Sequence, residues 1–323
     1  MKKIGVLTSG GDAPGMNAAI RAVVRTCIYN KITPIGIYEG YKGLLENQMK
    51  EFSSRNVSNI IQRGGTVLKS ARCSQFLTKE GRLQGYKNIQ ANKIDGLIVI
   101  GGDGTFAGAK VFFEEFGVPI VGIPGTIDND LYGTDFCIGY DSALNTIVEA
   151  VDKIRDTASS HNRLFIIEVM GRDAGFLALR SGIGVGAEAI LIPETPVYTE
   201  KLIKKLKDQS TQNKQSMIVI VAEGEKSGGA HAVAEHVKSN CPEFDVKVSI
   251  LGHIQRGGSP SALDRVLASR LGNAAVDALK KGSKNEMIGI LHREISHIPF
   301  EKAIKHNVNI NPALLKLSEI LAI

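Results

Sequence analysis

Short apolar runs recur along the chain and alternate with segments whose apolar residues have helical spacing. The runs are continuous stretches of valine, isoleucine and leucine, which is typical of strands that are covered on both faces. Several runs end in glycine and lead into a helical segment, and this repeated order predicts a parallel α/β sheet. The pattern predicts eight strands: Ile4–Thr8, Pro34–Tyr38, Gly96–Ile100, Ile120–Ile123, Leu164–Val169, Ala189–Ile192, Met217–Ala222 and Val246–Leu251.

Loops at the carboxyl ends of parallel strands are where such sheets bind their ligands. Five loops of this kind carry polar residues, and they read TSGGDAPGMN, IGGDGT, IPGTIDND, EVMGRDAG and LGHIQRGGSP. These five loops are therefore the candidates for a functional site.

The first loop joins a strand to a helix that is predicted to begin at about Gly15. Its glycines, Gly10 and Gly11, would let backbone N–H groups approach an anion, and the helix N-terminus adds a favourable dipole. The spacing matches neither G-x-G-x-x-G nor the Walker A pattern, so a tight turn without a ligand explains it equally well. On the helix, Arg21 and Arg25 lie one turn apart and form either a phosphate clamp or a solvated face.

Two further loops carry carboxylates. Asp103 follows a glycine pair, and a carboxylate beside a phosphate-binding backbone calls for a cation such as Mg²⁺; the alternative is a helix cap. If the TIDND segment is extended, Asp128 and Asp130 point to the same side. One carboxylate can then take a proton from an attacking hydroxyl while the other orients a cation or a water, although turn-forming aspartates are the simpler alternative.

Positive charge enters with the later loops. Arg172 comes just after a predicted strand, His253 and Arg256 are three residues apart, and Arg163 precedes a strand. Arginines at strand ends can bind a phosphate or neutralise the charge that develops during phosphoryl transfer.

Composition narrows the class of protein. The 323 residues suffice for one large or two ordinary domains, and the net charge of +6 permits acidic ligands. No long run of lysine and arginine is present, which argues against nucleic acid as a partner. The four cysteines form no C-x-x-C pair, and no apolar stretch approaches the ~20 residues that span a membrane. We therefore expect a cytoplasmic protein without disulfides.

Seven segments, taken in order, resemble bacterial ATP-dependent 6-phosphofructokinases over about residues 2–280: TSGGDAPGMNAAIR, IQRGG, GGDGT, PGTIDND, IRDTASSH, EVMGRDAG and LGHIQRGGSP. The resemblance implies a glycolytic kinase that transfers the γ-phosphate of ATP, with Mg²⁺ as cofactor, to the 1-hydroxyl of fructose 6-phosphate. It also implies a homotetramer whose subunits have two Rossmann-like α/β domains, each a mostly parallel sheet flanked by helices, with the active site in the cleft between them. Residues 1–139 and 255–305 would bind ATP, and residues 140–254 and 306–323 the sugar phosphate.

The resemblance also implies roles for individual residues. Asp128 is implied as the catalytic base, with Thr126 and Arg172 stabilising the transferring group and Asp103 contacting Mg²⁺. Arg163 is implied to reach the sugar-phosphate site from a neighbouring subunit. The implied nucleotide site comprises Gly11, Arg72, Cys73, Gly102, Asp103, Gly104 and Thr105. The implied sugar-phosphate site comprises Thr126, Ile127, Asp128, Arg163, Met170, Gly171, Arg172, Glu223, Lys247, His253 and Arg256.

Several positions depart from the family pattern. Lys247 stands where a second inter-subunit arginine is usual, and Lys69 stands where glycine is usual. At position 247, lysine keeps the positive charge of arginine but lacks the forked pair of donors of a guanidinium, so we expect weaker sugar-phosphate binding. An effector site for ADP and phosphoenolpyruvate is only partly retained; its candidates are Arg21, Arg25, Arg55, Asn59, Arg155, Gly186, Glu188, Gln212, Lys214 and Ser216.

Two other functions remain open at this point. Families that use pyrophosphate carry an aspartate and a lysine where this chain has Gly104 and Gly125, so ATP is the expected donor. A non-catalytic phosphate-ligand sensor or a nucleic-acid-binding regulator would fit the positive charge. The combination of Asp103, Asp128 and Arg172 argues against a sensor, because a sensor does not need a catalytic base beside a metal-binding carboxylate.

Overall fold

The computed structural model describes residues 1–158, 163–195, 199–210, 216–304 and 309–322. Its strands are β1 (Lys3–Thr8), β2 (Thr33–Ile37), β3 (Met49–Glu51), β4 (Gly96–Gly101), β5 (Ile120–Pro124), β6 (Arg163–Val169), β7 (Ala189–Leu191), β8 (Ser216–Ala222), β9 (Asp245–Ile250), β10 (Glu286–Leu291) and β11 (Glu294–Pro299). Its helices are α1 (Met16–Tyr29), α2 (Gly40–Leu45), α3 (Lys79–Ala91), α4 (Asp103–Phe116), α5 (Tyr140–Ala158), α6 (Phe176–Gly184), α7 (Thr199–Ser210), α8 (Gly229–Asn240), α9 (Ala262–Lys280), α10 (Phe300–Ala303) and α11 (Pro312–Leu321). Two 3-10 helices cover Ser74–Leu77 and Gly252–Arg256.

All eight predicted strands are present, each within one residue of its predicted ends. Three more strands, β3, β10 and β11, were not predicted. The α/β class with mostly parallel sheets is confirmed, because only the β2–β3 and β10–β11 pairings are antiparallel among the strands described.

The chain divides into two compact units. The first comprises Met1–Ile127, Leu131–Ser142 and Arg256–Asn307, and the second comprises Asp128–Asp130, Ala143–Gln255 and Val308–Ile323. The assignment of ATP to one unit and sugar phosphate to the other stays a prediction.

The first unit is built on a seven-stranded sheet in the order β11-β10-β5-β4-β1-β2-β3. All six residues of β4 are buried, as expected of a central strand with helices on both faces. Its helix α1 packs closely on α9, where a Cβ at Gly272 would lie 2.7 Å from the Cβ of Ala22. The apolar core of this unit includes Leu7, Val99, Phe106, Phe112 and Phe300.

The second unit is built on a four-stranded parallel sheet in the order β7-β8-β6-β9. Its register aligns Val169 with Ala222 and Glu168 with Ile250, so the carboxyl ends of β6, β8 and β9 lie at one edge. Its separate core includes Leu164, Ile166, Val219, Val233 and Val246.

None of the four cysteines lies in a disulfide, and three of them, Cys27, Cys137 and Cys241, are buried. Within the described ranges, no helix has both the length and the apolar composition that crossing a membrane requires.

Candidate active site

In the first unit, three of the predicted loops leave neighbouring strands. The register pairs Thr8 with Ile100 and Gly101 with Pro124, so the ends of β1, β4 and β5 are adjacent. Backbone hydrogen bonds continue this alignment past the strands, since the Gly125 N–H donates to the Gly101 carbonyl at 3.0 Å. The loops that carry Gly11, Asp103 and Thr126 therefore meet at one edge of the sheet, as the sequence predicted for ligand-binding loops.

The loop after β1 is shaped by glycine and by one arginine. Gly10 has a φ of 83°, which other residues rarely adopt. A Cβ at Gly11 would lie 2.5 Å from Nη1 of Arg256, which itself donates to the Asp12 carbonyl at 3.2 Å. Arg256, predicted for the sugar phosphate, thus contacts the predicted nucleotide loop.

The loop after β4 leads directly into α4, whose N-cap is Gly102. Asp103 lies half-buried in the first turn of the helix, and the Thr105 hydroxyl donates to the Ser9 carbonyl at 3.1 Å. Gly104 is exposed, and a Cβ placed there would meet nothing within 4 Å. Neither packing nor backbone conformation requires glycine at this position, so its small size leaves space beside a helix N-terminus, where anions bind.

The donor set at this loop suits Mg²⁺ carried by a nucleotide. No group of three or more histidine, cysteine or acidic side chains among the described residues is arranged to hold a metal by itself. Mg²⁺ usually takes one or two protein carboxylates and completes its shell with substrate phosphates and waters. The carboxylate of Asp103, close to the α4 N-terminus, fits that pattern.

A strap from Thr66 to Ser70 covers the end of β1. The Thr8 hydroxyl donates to the Lys69 carbonyl at 2.8 Å, and the Ser70 hydroxyl donates to the Gly10 carbonyl. Lys69 has a φ of 59°, in the left-handed region that favours glycine, which explains why glycine suits this position better.

The strap continues into the predicted nucleotide residues Arg72 and Cys73. Arg72 is exposed, whereas Cys73 is half-buried against the core of the first unit. Beyond them, Phe76 stacks on Tyr41 with ring centroids 3.9 Å apart, and both rings approach Gly108. This glycine therefore lets α4 pack closely against the buried aromatic pair.

The TIDND loop is buried although it is polar. Thr126 and Asp128 are each 8% exposed, and Asp130 is 5% exposed. Ile127 between them is fully buried. The extended conformation that would turn both aspartates to one side is not present, because Asn129 between them has a φ of 55°.

In the second unit, the loop after β6 carries Met170, Gly171 and Arg172. Gly171 has a φ of 142° and Arg172 a φ of 55°, so a charged residue occupies a left-handed conformation. The Arg172 N–H donates to the Glu223 carboxylate at 2.7 Å. A Cβ at Gly224 would lie 2.0 Å from the Arg172 carbonyl, so the two loops fit only with glycine there. Backbone strain of this kind is often retained at functional sites.

Gln255 is a positioning residue that the sequence did not single out. It is fully buried and accepts a hydrogen bond from the Met170 N–H at 3.1 Å, while its amide donates to the Gly252 carbonyl at 2.9 Å. The loop after β6 is thereby joined to the 3-10 helix that presents His253, which is exposed. Only its place inside the LGHIQRGGSP motif could have indicated this role.

Two predicted substrate residues lie at the opposite edge of the same sheet. Arg163 begins β6, whereas Arg172 follows its end; the six steps from Arg163 to Val169 span roughly 20 Å at ~3.3 Å each. Lys247 lies near the start of β9. Within one chain, Arg163 therefore lies too far from the end of β6 to share a phosphate with Arg172, and service to a neighbouring subunit stays a prediction for both Arg163 and Lys247.

The candidate effector residues of the first unit include the α1 pair. Arg21 is half-buried and Arg25 exposed; burial, and then the charge of Arg25, lower the pKa of Arg21. An anion beside the pair would relieve this repulsion. Arg55 and Asn59 lie on an exposed loop, where Asn59 has a φ of 55°.

The remaining effector candidates belong to the second unit. Arg155 on α5 donates to the Val185 carbonyl and, at 3.4 Å, to the Gly186 carbonyl, so its guanidinium holds the end of α6. Glu188 is buried and accepts from the Ile218 N–H. Ser216 begins β8, and two candidates lie outside the described residues, namely Gln212 and Lys214.

Known proteins resemble this chain over its whole length. The family model for phosphofructokinase matches residues 3–279. ATP-dependent 6-phosphofructokinase 2 of Bacteroides thetaiotaomicron is 59% identical over 100% of this chain and 99% of its own, and ATP-dependent 6-phosphofructokinase 1 of Thermus thermophilus is 53% identical over both whole chains. The solved structure of phosphofructokinase from Saccharomyces cerevisiae aligns with a TM-score of 0.91 and 38% sequence identity. The alignment covers 100% of this chain and 48% of the yeast chain, so this chain spans about half the length of the yeast protein. The chain therefore belongs to the phosphofructokinase family.

Proposed function

We propose that the protein is an ATP-dependent 6-phosphofructokinase. It transfers the γ-phosphate of ATP to the 1-hydroxyl of fructose 6-phosphate, giving ADP and fructose 1,6-bisphosphate, the committed step of glycolysis. The observation that carries this proposal is the full-length identity of 59% and 53% with relatives that bear this name.

The space beside Gly104 supports ATP as the donor over pyrophosphate. A Cβ there would meet nothing within 4 Å, so the glycine is not retained for packing. A longer, charged side chain would project into that space, next to the α4 N-terminus where phosphate groups bind. ATP needs that room for its α-phosphate and nucleoside, whereas pyrophosphate does not.

Asp128 acts as the base that takes the proton from the sugar 1-hydroxyl. Its low exposure of 8% limits competition from water at the carboxylate. The Thr126 hydroxyl and the Arg172 guanidinium stabilise the charge on the phosphoryl group during transfer. The hydrogen bond from the Arg172 N–H to Glu223 fixes the backbone from which that guanidinium extends.

Asp103 would hold the Mg²⁺ that accompanies the nucleotide. When bound, the cation neutralises part of the charge on the phosphates. The N–H groups at the start of α4 and of the loop at Gly10 and Gly11 bind the phosphate oxygens and orient the donor.

Arg163 and Lys247 bind the sugar phosphate of a neighbouring subunit, which makes a homo-oligomer, proposed as a homotetramer, part of the active form. The arginine pair on α1 contributes to an effector site for ADP or phosphoenolpyruvate. Arg163 begins β6, at the opposite end of the strand from Arg172, which supports the first assignment. Burial, and then the charge of Arg25, lower the pKa of Arg21, which supports an anion beside the arginine pair.

A coupled assay with fructose 6-phosphate tests the proposal. ATP and pyrophosphate are compared as donors, and ADP and phosphoenolpyruvate are titrated into the active reaction. We expect turnover with ATP as the donor and none with pyrophosphate. Turnover with pyrophosphate alone would overturn the donor assignment, and salt-dependent DNA binding without any kinase activity would overturn the enzyme assignment altogether.

A further inference from the structure

Three charged side chains form a group at the amino edge of the second sheet. The register between β6 and β9 places Arg163 directly beside Asp245. Lys247 comes two residues after Asp245, so strand alternation puts both side chains on the same face. Val246 between them is buried in the core of the second unit, which leaves the charged face turned away from that core.

Asp245 bonds to both cations at once. Its Oδ2 accepts from Nε of Arg163 at 3.0 Å, and its Oδ1 lies 2.8 Å from Nζ of Lys247. These hydrogen bonds, first from Lys247 and then from Arg163, hold the pKa of Asp245 below its ordinary value, so the carboxylate is charged at neutral pH. The group therefore carries a fixed arrangement of two positive charges and one negative charge.

The cations keep most of their hydrogen-bonding capacity. A guanidinium has five N–H donors and an ammonium has three, and within the described residues each cation uses one donor on Asp245. Arg163 is bound through Nε, so both terminal nitrogens remain for another anion. The side chains are accessible as well, with exposed fractions of 29% for Arg163 and 45% for Lys247.

Folding stability does not account for this arrangement, because exposed ion pairs contribute little to it. Orientation does. A bond at Nε fixes the plane of the guanidinium and hence the direction of its terminal nitrogens, and a bond at Nζ restrains a four-carbon stem that is otherwise free to move.

We propose that Asp245 is a positioning residue that holds Arg163 and Lys247 in one arrangement for binding the phosphate of fructose 6-phosphate in a second copy of the chain. This inference rests on the proposed function and names an acidic residue that assists an anion site. A carboxylate near a phosphate also repels it. The bond through Nε favours positioning, because it leaves the fork of the guanidinium available.

Steady-state kinetics of the full-length Asp245→Asn variant test this role. The substitution keeps the shape of the side chain and removes its charge. We expect the KM for fructose 6-phosphate to rise roughly threefold to tenfold, the range expected from losing two exposed ion pairs. The kcat and the KM for ATP should stay unchanged, since neither depends on the two cations.

Three further variants make the test specific. Asp245→Glu keeps a carboxylate, so its KM for fructose 6-phosphate should be closer to that of the parent chain than the KM of Asp245→Asn is. In a Lys247→Ala background, Asp245→Asn should have a smaller effect on KM, because only Arg163 remains to be held. Glu149→Gln removes an exposed ion pair with Lys153 elsewhere in the second unit and serves as the matched control, with no change expected.

The outcomes separate this inference from the function on which it rests. An active parent chain with an unchanged or lowered KM in Asp245→Asn would overturn the positioning role. A rise in KM that Asp245→Glu fails to relieve would also overturn it. A parent chain that does not phosphorylate fructose 6-phosphate would overturn the proposed function itself.

Discussion

At the scale of single residues, positions 104 and 128 have opposite surroundings. Gly104 is exposed and borders open space, whereas Asp128 is a carboxylate with only 8% of its surface exposed. Substitution at the first should alter ligand choice without disturbing the fold. Substitution of Asp128 should remove the group that takes the proton from the sugar hydroxyl.

Gly104→Asp should lower kcat/KM for ATP by about one to two orders of magnitude, because a carboxylate would enter the space meant for phosphate and repel it. The melting temperature should stay the same or rise slightly, since an acidic residue in the first turn of α4 suits the helix dipole. Donor kinetics and thermal unfolding measure the two effects. Gly104→Ala adds a methyl group without charge and should give an intermediate loss; equal losses in both variants would contradict the charge argument.

Asp128→Ser should reduce kcat by about two to four orders of magnitude, the usual contribution of a general base. The KM for ATP should change little, because the residue acts on the acceptor hydroxyl. Rapid-quench or coupled assays give kcat, and circular dichroism checks that the fold is retained. Near-normal turnover in a folded variant would refute the assignment of Asp128 as the base.

At the scale of elements, one carboxylate joins α9 to the start of α5. Asp264 is fully buried and accepts hydrogen bonds from the Gly139 N–H at 2.9 Å, the Ser142 N–H at 2.8 Å and the Ser142 hydroxyl at 2.6 Å. Burial raises the pKa of Asp264, and the hydrogen bonds offset this only in part. The folded state therefore holds a proton on this group more tightly than the unfolded state does.

Asp264→Asn should lower the free energy of unfolding by about 1–3 kcal/mol at neutral pH, because its amide cannot accept all three hydrogen bonds. In the parent chain, the stability that Asp264 contributes is highest below its ordinary pKa and falls as pH rises to the raised value. The parent-minus-variant difference should therefore be larger in acid than at neutral pH. Urea unfolding over a series of pH values measures it, and a difference that grows towards neutral pH would contradict the prediction.

The elements show how far sequence patterns reach. Buried parallel strands were predictable because each is a continuous apolar run ending in glycine. The β10–β11 hairpin was not, since its turn uses His292 and Arg293 at φ values of 50° and 71° in place of the usual Asn-Gly signal. The candidate site loops could be proposed from the sequence because each is a local motif at the end of a strand. Gln255, Asp264 and Asp245 were missed because their partners lie 85, 122 and 82 residues away in the sequence.

At the scale of the whole molecule, the second sheet keeps two sets of cations at opposite edges. Arg172 follows one end of β6 and Arg163 begins the other, roughly 20 Å away at ~3.3 Å per residue. In the proposed assembly, two copies would each supply Arg163 to the other's site, as expected of a symmetric interface.

Mixing Asp128→Ser with Arg163→Ala, two variants that should each be defective at low fructose 6-phosphate concentration, tests this reciprocity. Asp128→Ser chains keep Arg163, and Arg163→Ala chains keep Asp128, so an assembly of both contains sites in which each residue is intact. In an equal mixture that is unfolded and refolded together, about a quarter of the sites should be complete for pairwise symmetric exchange. Activity of the refolded mixture is compared with that of the variants refolded apart and then combined. Equal activity in the two samples would rule out sharing.

If Arg163 serves the active site of a second copy, as proposed, the turnover of the enzyme depends on its concentration. Sufficiently dilute enzyme would lose affinity for sugar phosphate before it unfolded, and substrate that bridges two copies would in turn hold the assembly together. Metabolite supply and enzyme concentration would then act on one and the same association equilibrium.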